Sequence, residues 1–147
     1  MRNLFKLKNS DNQRGVAALE FAIVLPLLLF LFLGITEFGI AYYNKQVVTN
    51  ASREGARAGI VDGTSPQDIR SIAYNYAKDR LITFGADNFS DAENGSVTLD
   101  GCNASAEYCK VTVDFNYTYL ILQGFRFFGA EFGPQLNIGA STTMRML

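Results

Sequence analysis

From Phe21 to Ile35 the chain reads FAIVLPLLLFLFLGI without one charged residue, and a weaker apolar stretch extends from Val16 to Tyr43 with only Glu20 and Glu37 interrupting it. A bilayer core of about 30 Å takes roughly 20 helical residues, whereas about 10 to 14 suit a buried helix or the core of a signal peptide. Val16 to Thr36 meets the longer requirement and predicts a membrane-spanning helix. Basic residues precede this run; after it Glu37 comes first and Lys45 only later. The positive-inside bias then places the N-terminus in the cytoplasm and everything beyond the span outside it.

Two residues complicate a plain anchor. An ionised carboxylate such as Glu20 costs on the order of 2.5–3.5 kcal/mol at the bilayer centre, less near its edge, so it marks a functional position. The plainer alternative is that Glu20 snorkels to the cytoplasmic interface. Pro26 lacks a backbone donor and crowds the preceding turn, which predicts a kink or local loosening. An ordinary secretory signal is a competing reading. Its cleavage site, Gly34-Ile35-Thr36, is a poor small-x-small match and leaves Glu20 unexplained.

At 147 residues the chain holds one globular unit beside the span. The first fifteen residues carry Arg2, Lys6, Lys8 and Arg14 against Asp11, a local +3 that leaves −4 for the rest of a chain whose net charge is −1. A negative remainder argues against a phosphate-binding surface, so nucleic acid is not an expected partner. With no histidine anywhere, Ser-His, Cys-His and His-metal sites are excluded, and two cysteines are too few for a zinc site. No enzyme, cofactor or metal is expected.

The string RGVAALEFAIVLPLLL, from Arg14 onward, resembles the processing site of type IV prepilins, and VAALEFAIVLPLLLFLFLGITEFGIAYYNKQVVTNASREGARAG resembles the TadE-like minor pilins, or pseudopilins, of the tight-adherence (Tad/Flp) pilus system. The resemblance covers roughly residues 14 to 59: the glycine, the glutamate, the Leu-Pro pair, Glu37-Phe-Gly and the R-E-G-A-R of Arg53, Glu54 and Arg57 occur in order. It implies that a prepilin peptidase cuts after Gly15, making Val16 the first mature residue and Glu20 the fifth. The freed amine of Val16 would then pair with Glu20 of a neighbouring subunit, each charge relieving the desolvation of the other.

From Glu37 to Ile60 no proline intervenes and helix formers dominate, so the spanning helix is expected to continue as a stalk. Ala51, Gly55 and Gly59 recur every four residues, a stripe where another helix can approach closely. Gly55 and Gly59 are equally readable as fraying, with Gly59 a C-terminal cap. Glu54 and Arg57 stand i,i+3, either as family motif or as a solvated charged face. A second helix opens with Ser65 as N-cap, Pro66 at the first position and Asp68 three residues on, and carries an apolar stripe of Ile69, Ile72, Ala73 and Tyr76.

Residues 110 to 119, KVTVDFNYTY, alternate strictly and predict a half-buried strand. Leu136, Ile138, Ala140, Thr142, Met144 and Met146 repeat the pattern, and Val97 and Leu99 supply a shorter partner. The expected fold class is α+β: a long N-terminal helix, a second amphipathic helix and a small antiparallel sheet of about three strands. Cys102 and Cys109 flank the connection between the first two strands, and an oxidising compartment favours a disulfide between them. Phe125, Phe127, Phe128 and Phe132 form either an exposed contact patch or a lid on the small core.

These readings divide the chain into a leader (1–15), a transmembrane helix (16–36), a periplasmic extension of that helix (37–60) and a small α+β periplasmic domain (61–147). The resemblance implies a processed, non-enzymatic minor pilin in the bacterial inner membrane, from which it can enter an extracellular pilus, serving assembly, adhesion and biofilm formation. Expected partners are prepilin peptidase, other pilin or pseudopilin subunits, the inner-membrane assembly platform and membrane lipid. The rival is an unprocessed bitopic scaffold of the same machinery.

Overall fold

The computed structural model describes residues 10–61, 63–84, 89, 96–103, 106–119 and 135–145, with side chains from Arg14 onward. In chain order the elements are α1 (Ser10–Gly59), α2 (Pro66–Lys78), β1 (Val97–Asp100), β2 (Tyr108–Thr118) and β3 (Gln135–Arg145). The chain divides into two compact units, Met1–Thr36 and Glu37–Leu147, and α1 contributes to both. The expected α+β class is the observed one.

In the first unit α1 is apolar on every side from Phe21 to Ile35, and most of its side chains are exposed among the described residues. Ile23, Leu27, Leu31 and Ile35 are all exposed, as a helix designed for an apolar solvent leaves them. It is the one helix among the described residues long and apolar enough to cross a membrane. The element runs unbroken through Pro26.

The second unit is built on a three-stranded antiparallel meander in the order β1-β2-β3. Val97 pairs with Val113 and Leu99 with Val111, while β3 pairs along the whole of β2 from Tyr108↔Arg145 to Thr118↔Gln135. The central strand starts two residues earlier than its alternation predicts, because Cys109 continues the inward series. Cys109, Val111, Val113, Phe115 and Tyr117 are buried, and the intervening residues are part-exposed or exposed. On β3, Ile138 is buried while Ala140, Thr142 and Met144 are partly so; Met146 lies outside the described residues.

Two helices, rather than α2 alone, cover the apolar face of this sheet. The Glu37–Gly59 stretch of α1 presents Ala41, Val48, Ala51 and Ala56 to the core, and α2 presents Ile69, Ala73 and Ala77. Of the expected α2 stripe, Ile69 and Ala73 are buried and Tyr76 is half-buried against the core, its ring 4.0 Å from the Arg80 guanidinium, while Ile72 is exposed. The small residues Ala73 and Ala77, one turn apart, let the α2 backbone come close. The start of α2 is as expected: the Ser65 hydroxyl accepts from the Asp68 amide at 3.1 Å, with Pro66 at the first helical position.

Cys102 and Cys109 are bonded. The bond closes the β1–β2 turn, where Gly101 adopts a positive φ of 73° with the Tyr108 carbonyl oxygen 2.6 Å from where a Cβ would stand. Breaking the bridge with a Cys102→Ser, Cys109→Ser double variant is expected to lower the stability of the globular unit by about 2.5 kcal/mol, read by urea unfolding under near-ultraviolet circular dichroism. A loss of under about 0.5 kcal/mol would show that the turn is held by Gly101 and the strand pairing alone.

Candidate membrane and assembly site

The N-terminal landmarks lie on one helix. α1 begins at Ser10, so the Gly15–Val16 bond falls inside it, and nothing packs where a Cβ on Gly15 would stand. Glu20 is exposed and makes no hydrogen bond or ion pair among the described residues. A carboxylate on an otherwise apolar surface, with no partner among the described residues, is one that solvent or another molecule can satisfy.

Glu37 is placed quite differently. It is 1% exposed, and Oε1 accepts a hydrogen bond from the Tyr117 hydroxyl at 2.6 Å, so the first residue beyond the apolar run joins the last buried residue of β2. Burial first, then this bond, then the charge of Glu37 and the proximity of Tyr119, push the Tyr117 phenol well above its ordinary value. Tyr117 continues into an aromatic series, with Phe115 at 6.4 Å and Tyr119 at 5.9 Å between ring centroids, and Phe115 in turn meets Phe89.

Two further polar residues of α1 are buried in the same stripe. Asn44 donates from Nδ2 to the Ile82 carbonyl and accepts from the Ile82 amide through Oδ1, both at 3.0 Å, so it pairs with the segment after α2 as another strand would. Ser52 Oγ lies 2.8 Å from Thr142 Oγ1 on β3 and donates to the Thr49 carbonyl. Sequence reasoning passed over Asn44 and Ser52. The signal was available: residues 37, 41, 44, 48, 51 or 52, 55 and 59 follow the helical period, and a polar residue on an otherwise apolar stripe announces a partner across the core.

The small stripe Ala51, Gly55, Gly59 faces inward. A Cβ on Gly55 would stand 3.0 Å from both Ala73 Cβ of α2 and Val111 Cγ1 of β2, and one on Gly59 would run into the Cys109 sulfur. The close approach is thus made to α2 and β2 of the same chain. Gly59→Ala is expected to destabilise the domain by about 1–2 kcal/mol, overpacking outweighing the helix-propensity gain of about 1 kcal/mol. Thermal unfolding checks it, and an unchanged or raised midpoint would show that the bridge yields at no cost.

Arg53 and Arg57 point to solvent, and Glu54 meets Arg57 at 3.8 Å with both side chains substantially exposed, so the pair adds little stability. In this motif the buried letters are Gly55 and Ala56. Phe125, Phe127, Phe128 and Phe132 lie outside the described residues.

Among known families, the model described as TadE-like protein matches residues 15–57. Neither a curated protein nor a solved structure matches the chain. The match opens at the glycine that precedes Val16, takes in Glu20, Glu37, Asn44 and Ser52, and closes at the last arginine of the exposed motif. From Gly15 to Arg57, the greater part of α1, the chain is thus similar to the TadE-like family.

Proposed function

We propose that the protein is a minor pilin, or pseudopilin, of a Tad/Flp-type pilus, made as a precursor and cut by a prepilin peptidase between Gly15 and Val16. Hydrolysis of that bond leaves a carboxylate on Gly15 and a free amine on Val16, and the released leader carries most of the N-terminal positive charge. The observation that carries this reading is the solitary Glu20. Its carboxylate stands in an apolar, unburied helical surface with no partner among the described residues, five positions after the glycine at which the family match begins.

In this reading residues 16–36 hold the subunit in the inner membrane with the N-terminus cytoplasmic, and residues 37–60 and 61–147 are periplasmic. The Val16 amine of one subunit neutralises Glu20 of the next, which sets their register as they leave the lipid for a filament. Partners are then the peptidase, sibling pilin-like subunits and the assembly platform, and the protein has no catalysis of its own. It contributes to pilus assembly and, through the pilus, to adhesion and biofilm formation.

The mass and N-terminal sequence of the membrane-extracted protein test it. The expected product begins at Val16 in cells with an active prepilin peptidase and at Met1 in cells without one. A chain that keeps Met1 in both is an unprocessed scaffold.

A further inference from the structure

The globular unit exposes large apolar side chains at one end. Phe38 is 75% exposed and Tyr42 61%, and with Leu136 and Ile138 of β3 they line an open groove whose far end carries Lys45. Tyr43 is exposed beside them. This is the end of the unit at which Glu37 meets Tyr117; the other end holds the disulfide, where Gly59 meets Cys109.

Polarity along this stretch of α1 is graded. Phe38 is wholly apolar; Tyr42 and Tyr43 are aromatic bodies with a polar tip; Lys45 is a cation whose Nζ donates to the Gly139 carbonyl and keeps further N–H donors. With a rise of about 1.5 Å per residue, Tyr42 stands about 6 Å and Lys45 about 11 Å beyond Phe38 along the helix. A bilayer passes from hydrocarbon through an interfacial layer of roughly 5–8 Å to water over the same interval. Aromatic residues prefer that layer, and a cation prefers its outer edge, among phosphates.

We propose that Phe38, Tyr42 and Leu136 form a lipid-facing foot that seats the globular unit in the interfacial layer of the membrane, with Lys45 at the phosphate level. The inference rests on the membrane-span reading of residues 16–36 and adds a second, peripheral contact made by the folded unit itself. A protein partner gives no reason for apolar, amphipathic and cationic residues to follow in that order along the helix; a planar lipid interface does.

The chain contains no tryptophan, so a single introduced one is a unique reporter. Full-length Phe38→Trp, Tyr42→Trp, Ile23→Trp and Tyr108→Trp variants are reconstituted in phosphatidylcholine vesicles whose acyl chains are brominated either near the headgroup or near the chain middle. All four positions are exposed, and near-ultraviolet circular dichroism reports whether each keeps the native signal. Tryptophan at 38 and 42 is expected to lose roughly half its emission to the shallow bromines and less to the deep ones. Tryptophan at 23 should respond best to the deep bromines, and that at 108 to neither. Quenching at 23 but not at 38 and 42 leaves the span intact and overturns the foot, as does a blue-shifted, unquenched emission at 38, which means protein covers it. No quenching at 23 overturns the span and the foot together.

Discussion

Replacing Glu37 by Leu is expected to destabilise the globular unit by about 3 kcal/mol, and Tyr117→Phe by about 2 kcal/mol, because each leaves a buried polar group short of its partner. The asymmetry is physical: a desolvated carboxylate or phenol that loses this hydrogen bond gains no water in its place. Two groups removed together leave no such debt between them. The double variant should therefore cost clearly less than the sum, and urea unfolding of the full chain in detergent, followed by near-ultraviolet circular dichroism, gives the cycle. Additive losses would show that the 2.6 Å bond between them is worth nothing.

The same pair sets a pH dependence. The phenol of Tyr117 is raised by burial above all, and by the Glu37 bond and charge, so folding favours its neutral form. A group raised on folding gives its full stabilisation below its unfolded pKa, near 10 for a tyrosine, and loses it as the pH climbs toward the folded value. The difference between wild type and Tyr117→Phe should hold constant from about pH 7 to 9 and shrink above about pH 10. A difference that grows with pH would reverse the assignment of the proton.

Glu20→Val is expected to remove the protein from sheared pili by at least tenfold while leaving its amount in the membrane fraction unchanged or raised. The loss follows if a Val16 amine without its carboxylate must stay buried and charged in an apolar bundle, a cost of several kcal/mol. The membrane population is spared because Glu20 makes no hydrogen bond or ion pair within the described chain, and removing its charge relieves on the order of 2.5 kcal/mol against lipid. Quantitative immunoblots of the two fractions read the result. Equal incorporation of the variant would favour a bitopic scaffold over a filament subunit.

Much of the architecture was written in local patterns. The charge-free run from Phe21 to Ile35 announces a helix long and apolar enough to cross a membrane, and Ser65-Pro66 with Asp68 marks the start of α2 because a helix must satisfy its first amides. The alternation from Lys110 to Tyr119 places β2 and names its inward face, and the order of short apolar runs indicates a meander. The α2 stripe was less legible: Ile72 has the helical period but stays exposed beside the buried line of Ile69, Ala73 and Ala77.

What the sequence determined by itself is thus what depends on a period or a near neighbour: the long apolar helix, the second helix, the strands and the two cysteines able to meet. Tertiary structure decided which polar residues of α1 turn inward and what answers them. Glu37 meets Tyr117 across 80 residues, Ser52 meets Thr142 across 90, and Asn44 meets Ile82 across 38. It also turned the glycine stripe toward Ala73, Val111 and Cys109 of the same chain. Hydrophobic period fixes which face of an element is buried, but a hydrogen bond or a close backbone approach needs two surfaces, and the second is supplied only when distant segments fold onto the first.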